Sequence, residues 1–235
     1  MRRPGAARHT ANLRSHPLDA NRNVHSHFIR RVSSAMDGGS DEWSPRQARS
    51  RATLARLLDA AEAVLAREGV EAATVPAIAE RAGASVGAVY RRFPDKDALL
   101  RAVCERFLER VDAVNATALT PELCAGVPAA GLARRTVQGL VTGYRMKAGM
   151  LRAVHLFAAQ HPDPAFRKRV EEQTARTLDR IVELFRPVFA EIRHEDPELA
   201  LRAGLLAVTL AMRQLVVSGK PLQGSLRVPQ AKLES

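Results

Sequence analysis

The chain has 235 residues, a formal net charge of +11, 46% hydrophobic residues and 4% aromatic residues. This length and apolar content allow one large domain or two small ones with a substantial core. Few aromatic residues and abundant Ala and Leu favour helices over sheets. The two cysteines, Cys104 and Cys124, form no C-x-x-C pair. This excludes a cysteine-based zinc motif and is typical of a reducing compartment.

The first 35 residues carry more than half of the charge. They contain seven arginines and one acidic residue, Asp19, so their net charge is 7 − 1 = +6. They show neither a helical nor an alternating apolar pattern, so residues 1–45 are predicted to be a disordered basic extension and linker. Three interpretations of this segment remain open. It is an arm that binds nucleic acid, an arginine-rich transit peptide, or a stretch that is not translated because the protein starts at Met36. A signal peptide is not expected, because these residues contain no continuous apolar stretch.

A first helix is predicted from the spacing of apolar residues between Leu54 and Leu65, with Gly69 suited to its C-terminal cap. Arg49 and Arg51 precede its apolar face. Cations at a helix N-terminus oppose the helix dipole, and a nearby phosphate would favour them there. Simple solvation of both side chains is the alternative.

Two short helices follow. Thr74 is suited to the N-cap of the first, which Gly83 ends, and Ser85 is suited to the N-cap of the second, which reaches Phe93. The short interval between them contains glycine. This pattern predicts a helix-turn-helix at about residues 74–93, with its second helix available for a DNA major groove.

The second helix is predicted to place Val89 and Phe93 inward. Gly87 is small, which allows close approach to DNA. Lys96 begins the helix after Pro94, where free N–H groups and an ammonium together favour a DNA phosphate. The residues predicted to be turned outward are Val86, Ala88, Tyr90, Arg91 and Arg92.

The spacing of about a dozen residues in this region resembles the N-terminal signature of the TetR family of bacterial transcriptional regulators. The resemblance covers residues 48–100, and Ala88 departs from it because the family often has Thr there. Ala88 offers only a methyl group, for example to a thymine methyl. The matching residues are Gly69, Thr74, Ile78, Ala79, Ala82, Gly83, Ala84, Ser85, Gly87, Tyr90, Phe93, Lys96 and Leu99.

The resemblance implies an all-α fold. A three-helix DNA-binding head at residues 46–112 would precede a ligand-binding and dimerisation body at residues 113–218. It further implies a cytoplasmic homodimer on a palindromic double-stranded operator. The predicted DNA-contacting residues are Arg49, Arg51, Thr74, Ser85, Val86, Gly87, Ala88, Tyr90, Arg91, Arg92 and Lys96.

The body is predicted to contain a helix over residues 132–147 and a second piece that reaches Gln160. A third helix is predicted to begin after Asp163, and a last one after Asp196–Pro197. The segment 203–217 is apolar almost all round, with only Thr209, Arg213 and Gln214 strongly polar, which predicts burial on more than one side. Arg202 and Arg213 leave too few uncharged residues between them for a membrane span.

A dimer interface formed by this last helix and the helix at 163–190 is therefore predicted, and residues 219–235 are expected to form a loose tail. The candidate interface residues are Leu178, Leu184, Leu201, Leu205, Val208 and Met212.

A pocket for a small-molecule effector is predicted inside the body, although the same residues suit an ordinary helical core. Tyr144, Met150, His155, Phe157 and Phe185 are its candidate lining. No catalytic motif, phosphate loop or metal motif occurs, so no enzyme, cofactor or metal is predicted. The other body histidines are interpreted as solvated or core residues.

Two functions are compatible with these patterns. The favoured one is a ligand-responsive, dimeric DNA-binding repressor that a small apolar or amphipathic molecule releases from its operator. The alternative is a helical ligand-binding protein or enzyme that keeps the three-helix head only as a packing module. Operator-specific binding separates the two, because the alternative predicts only salt-sensitive nonspecific binding.

Overall fold

The computed structural model describes residues 45–218, and every regular element in that range is helical. The all-α prediction is therefore confirmed. The predicted extension up to residue 44 and the predicted tail at 219–235 lie outside the described residues. The described residues form eight α-helices, namely α1 (Pro45–Ala72), α2 (Val75–Arg81), α3 (Val86–Tyr90), α4 (Lys96–Ala118), α5 (Ala129–Met146), α6 (Ala148–Gln160), α7 (Pro164–Phe185) and α8 (Pro197–Ser218). Short 3-10 segments occupy Pro121–Leu123 and Arg186–Glu191.

The predicted helix starts in the N-terminal region are confirmed by their caps. Thr74 Oγ1 accepts a hydrogen bond from the Ala77 N–H at 3.3 Å, and Ser85 Oγ accepts one from the Ala88 N–H at 3.2 Å. Asp95 Oδ1 caps α4 by accepting from the Ala98 N–H at 2.7 Å. Gly83, at φ 61°, makes the turn between α2 and α3 in a conformation that few other residues adopt. These local contacts fix the orientation of α3.

The larger of two apolar cores joins the N-terminal helices to the body. It contains Leu57 of α1, Val89 of α3 and Leu99 of α4, and it continues into Val154 of α6 and Phe166 of α7. Helix α4 also runs without interruption through the predicted boundary at residue 112. The division into a head and a body therefore stays a prediction, because the two share one core in this structure.

The smaller core lies farther along the chain. It joins α5, the C-terminal part of α7 and α8 through Leu132, Ile181, Phe185 and Leu205. Helix α8 also packs against α6, which belongs to the larger core. Helices α6 and α7 therefore connect the two cores.

His161, at the corner between α6 and α7, ties the body to the first turn of α4. Its Nε2 lies 2.9 Å from Asp97 Oδ2, and its Nδ1 accepts the Asp163 N–H at 3.1 Å, which assigns the ring proton to Nε2. The ring is buried between Phe157 and Phe166, with centroid distances of 5.1 and 4.9 Å. The interpretation of His161 as a core histidine is confirmed.

Helix α8 is apolar on two adjacent sides, one buried and one exposed. Leu205 and Thr209 are buried, whereas Leu206 and Leu210 on the other side are 47% and 49% exposed. Leu199 extends the exposed side towards the start of the helix. Within residues 45–218, α8 alone is long and apolar enough to cross a membrane by length and composition. Arg202 and Arg213 interrupt that apolar stretch.

The structure corrects two of the predicted dimer-interface residues. Leu184 and Leu205 are buried in the smaller core of their own protomer, so they cannot supply an exposed interface. Leu178 and Leu201 pack against that core but are only half-buried, and their place in an interface stays a prediction. The pattern failed because a helix that is apolar all round offers no periodicity that identifies its inner side. Val208 and Met212 are half-buried.

Cys104 is a buried residue of the larger core, as the sequence suggested. Burial raises the pKa of its thiol to about 12, with smaller contributions from nearby carboxylates. The thiolate, which is the reactive form, is therefore strongly disfavoured at neutral pH.

Candidate DNA-binding interface

The inner side of α3 fixes this short helix to the core. Val89 is fully buried and Phe93 is 9% exposed, and both belong to the larger core. Their predicted inward orientation is confirmed. Because a rotation of α3 would remove Val89 from the core, the outward side of the helix is defined.

The outward side of α3 combines apolar, aromatic and cationic groups. Val86 and Tyr90 are 39% and 52% exposed, and Gly87 and Arg91 are exposed as well. The Arg91 guanidinium makes no hydrogen bond or ion pair with another residue in the described part of the chain. A guanidinium of this kind can donate two hydrogen bonds to one guanine edge.

Ala88 was predicted to face outward, and that prediction is wrong because the residue is only 8% exposed. The neighbouring Arg92 explains part of this burial. Arg92 Nη1 donates to the Ala88 carbonyl oxygen at 3.1 Å, and its Nη2 reaches Ser50 Oγ on α1 at 3.4 Å. Arg92 therefore holds α3 against α1, whereas Arg91 is left to face outward.

Lys96 lies at the N-terminus of α4, as predicted, and its side chain already has one partner. Its Nζ donates to the Val70 carbonyl oxygen at 3.2 Å. An ammonium has three donor hydrogens, so two remain for an anion such as a phosphate. The bond to Val70 also restricts the position of the ammonium group.

The remaining predicted contacts lie on three different elements. Arg49 and Arg51 are exposed on the first turns of α1. Thr74 and Ser85 use their hydroxyl oxygens as N-caps, and each hydroxyl keeps its own hydrogen as a possible donor. Their contact with DNA stays a prediction.

The predicted pocket residues do not form one group. Met150 and Phe157 belong to the larger core, and Phe185 belongs to the smaller one. Tyr144 and His155, in contrast, both interact electrostatically with Arg213 of α8. The sequence analysis did not include Arg213 in this site. Its occurrence as one of few polar residues in an otherwise apolar helix could have indicated it.

Burial governs the protonation of both groups near Arg213. It lowers the pKa of His155 to about 4, and the positive charge of Arg213 lowers it further. Burial raises the pKa of Tyr144, against a smaller lowering by Arg213. Both side chains are therefore neutral at pH 7. Within residues 45–218, no cluster of His, Cys, Asp or Glu suited to a metal ion occurs.

A capped α2–turn–α3 unit with a fixed outward side, joined to a helical body, defines a helix-turn-helix protein. Residues 57–103 match the model of the family described as bacterial regulatory proteins, tetR family. This match confirms, over residues 57–103, the resemblance to the TetR family that was seen in the sequence.

Among the similar curated proteins are two transcriptional repressors. The HTH-type transcriptional repressor KstR of Mycolicibacterium smegmatis is 47% identical over 58 residues, which cover 25% of this chain and 28% of that protein. KstR of Rhodococcus jostii is 40% identical over 74 residues, which cover 32% of this chain and 34% of that protein. The matches thus span about a third or less of these relatives.

Solved structures show the same fold over most of the chain. A protein from Mesorhizobium loti described as a TetR-family transcriptional regulator has a TM-score of 0.56 and 22% identity, and the match covers 79% of this chain and 91% of that one. The fatty acid degradation regulator FadR from Bacillus halodurans has a TM-score of 0.50 and 17% identity, with coverage of 76% and 88%. At such identities the likeness concerns the fold alone.

Proposed function

We propose that the chain is a DNA-binding transcriptional repressor that acts as a homodimer on a palindromic operator. One observation carries this proposal. Helix α3 is locked by Val89 on its inner side and presents Tyr90 and Arg91 outward, beside the α4 N-terminus with Lys96. The family-model match at residues 57–103 includes this region, and the two KstR relatives are named as transcriptional repressors.

Each exposed group has a distinct role in this proposal. Arg91 contacts a base edge in the major groove and supplies sequence preference. Lys96 contacts a phosphate, which positions the protein without recognising sequence. Arg92 is a positioning residue, because its bonds to Ala88 and Ser50 set the angle between α3 and α1.

The dimer is proposed to form through the exposed side of α8. Leu199, Leu206 and Leu210 lie on this side at helical spacing, and each is at least 47% exposed. A second copy of the same helix would cover them, which a two-fold axis allows. Two heads related by that axis would contact two half-sites of a palindrome.

Release from the operator is proposed to follow the binding of an apolar or amphipathic effector in the body. Helix α6 supports this coupling, because it packs against α8 on one side and against α1 on another. A ligand that favours one arrangement of α6 would shift the population of head orientations. Effector and operator must then weaken each other's binding by the same factor. Such a regulator would act in the bacterial cytoplasm.

The test is a selection from a random pool of double-stranded DNA with the purified chain, followed by sequencing. We expect a palindromic consensus with two half-sites. The matched control is Arg91→Ala, which should lose preference at one position in each half-site. Enrichment of no consensus, with binding that only fades as salt rises, would favour the alternative of a ligand-binding protein or enzyme with a packing head.

A further inference from the structure

An unsatisfied hydroxyl is buried on the inner side of α8. Thr209 is 5% exposed, and its Oγ1 is buried with no hydrogen-bond partner in the described part of the chain. A threonine within a helix commonly donates to a carbonyl one turn earlier. Without such a bond, burial of the hydroxyl costs free energy that a ligand oxygen would recover.

Two further polar side chains interact with Arg213 of the same helix. Tyr144 of α5 and His155 of α6 are mostly buried, and neither side chain hydrogen-bonds to another residue within 45–218. Both interact with Arg213, which lies one helical turn after Thr209 on the same side of α8. Three helices thus bring four polar groups together, and we call Tyr144, His155, Thr209 and Arg213 the Arg213 cluster.

Arg213 differs from the other arginine of α8 in its partners. Arg202 binds Asp179 at 2.7 Å and Glu198 at 3.0 Å, so carboxylates of the chain neutralise its charge. Arg213 makes no ion pair with a carboxylate of the described residues. It is exposed, so it lies at the rim of the cluster, and Thr209 lies deeper.

The helices around the Arg213 cluster supply almost no negative charge. Residues 129–160, which contain α5 and α6, include no Asp or Glu and five basic residues, namely Arg134, Arg135, Arg145, Lys147 and Arg152. The acidic residue of α8 is Glu198, which already binds Arg202. An anion that pairs with Arg213 must therefore come from outside these helices.

We propose that the Arg213 cluster binds the carboxylate of an amphipathic effector. Arg213 pairs with the carboxylate, and the hydroxyls of Thr209 and Tyr144 and the His155 ring donate hydrogen bonds to it. The apolar part of the effector lies along half-buried apolar side chains of the same three helices, among them Val141, Leu151 and Met212. This inference rests on the proposed function, because it names the chemical class of the effector.

The test measures binding of straight-chain carboxylates from hexanoate to dodecanoate by calorimetry, with the neutral alcohols of equal length as matched ligands. We expect one or more of the carboxylates to bind and the corresponding alcohol to bind at least about tenfold more weakly. Arg213→Gln should weaken carboxylate binding by about 10- to 100-fold. Arg202→Gln is the control variant, and its affinity should equal that of the wild type.

A second variant separates binding from folding. Thr209→Val keeps the shape of the side chain and removes the unsatisfied hydroxyl, so the free protein should melt at an equal or higher temperature. Its carboxylate affinity should nevertheless fall. A purely structural role for Thr209 would move the melting temperature and leave the affinity unchanged.

Three results would overturn this inference. They are equal affinity for alcohol and carboxylate, unchanged affinity in Arg213→Gln, and no binding of any carboxylate in the series. Operator selection with the unliganded protein is a separate measurement. A palindromic consensus combined with any of these results would reject the anionic effector and leave the proposed repressor intact.

Discussion

Gly149 on α6 and Ala66 on α1 are packed so closely that no side chain fits between them. A Cβ placed on Gly149 would lie 2.8 Å from the Ala66 carbonyl carbon and would overlap its oxygen. The contact is made by backbone atoms, so rotation of a side chain cannot relieve it. Helices α1 and α6 therefore require glycine at this position.

Gly149→Ala should destabilise the protein because α1 and α6 must separate to admit the methyl group. We expect a loss of about 1–3 kcal/mol in the free energy of unfolding, measured by urea denaturation. Gly139→Ala is the control, since a Cβ there meets nothing within 4 Å. Because alanine favours helix over glycine, that variant should be stabilised by up to about 1 kcal/mol. Equal stability of the two variants would contradict the close packing.

Arg91 and Arg92 are adjacent but should give different phenotypes. Arg91→Ala should relax the preference at one base position in each half-site by about 1–3 kcal/mol. Arg92→Ala should weaken binding to all sequences together, because it releases α3 from Ser50. Titrations of both variants against operators with single base changes test this. If Arg92→Ala alone altered the base preference, the assignment of the two arginines would be reversed.

Lys96→Ala should lower the affinity for specific and nonspecific DNA by similar factors. One phosphate contact would be lost, so the slope of log affinity against log salt should fall by about one. Lys168→Ala is the control, because Lys168 is exposed on α7 and pairs with Glu172 at 3.5 Å. An unchanged slope in Lys96→Ala would show that its ammonium serves only the bond to Val70.

The proposed dimer predicts a defined effect of charge on α8. Leu206→Glu and Leu210→Glu should each convert the dimer into a folded monomer, because a carboxylate would be buried against the partner. The same variants should lose most of their operator affinity. Met146→Glu, at a position 70% exposed on α5, should remain dimeric. Light scattering at micromolar concentration checks all three, and a monomeric wild type would refute the arrangement.

Protonation of His155 should destabilise the fold in acid. Its pKa is about 4 in the folded chain and 6.5 in the unfolded reference, so the unfolded state binds a proton first as the pH falls. Stability is therefore lost between these values, by about 2 kcal/mol between pH 7.5 and 5. The cationic Arg213 is the charged group that acts on His155 in this site, and it lowers the pKa of the imidazole in the same direction as burial.

His155→Asn should remove that part of the acid sensitivity, because asparagine does not titrate. Urea unfolding at pH 7.5 and pH 5 gives the loss of stability in acid for the wild type and for the variant. The difference between the two losses isolates His155, because the contributions of the other groups cancel. His194→Asn changes an exposed histidine before α8 and should follow the wild type. Parallel pH profiles for all three proteins would contradict the burial of the His155 ring.

The sequence predicted the features that depend on neighbouring residues. The caps at Thr74 and Ser85 follow from short-range hydrogen bonds, and their residue types are specific. The inward orientation of Val89 followed from its spacing to Phe93. These signals lie within a few residues of each other, so no knowledge of the tertiary fold was required.

Contacts between distant parts of the chain were not predictable in this way. Ala88 is covered in part by an arginine that reaches α1, and Lys96 donates to Val70 across 26 positions. In α8, neighbouring Leu205 and Leu206 have the same chemistry, yet one is buried and the other exposed. Only the packing of α8 on α5, α6 and α7 distinguishes them.

The shared core bears on how such a protein can be inherited or re-engineered. Leu57 and Val89 lie in the same core as Val154 and Phe166, so the apolar interior of the N-terminal helices continues into the body. Grafting residues 45–112 onto an unrelated body would leave apolar side chains facing water unless the new body supplied equivalents of α6 and α7. An exchange that moves the N-terminal helices together with α6 and α7 would instead keep this core intact.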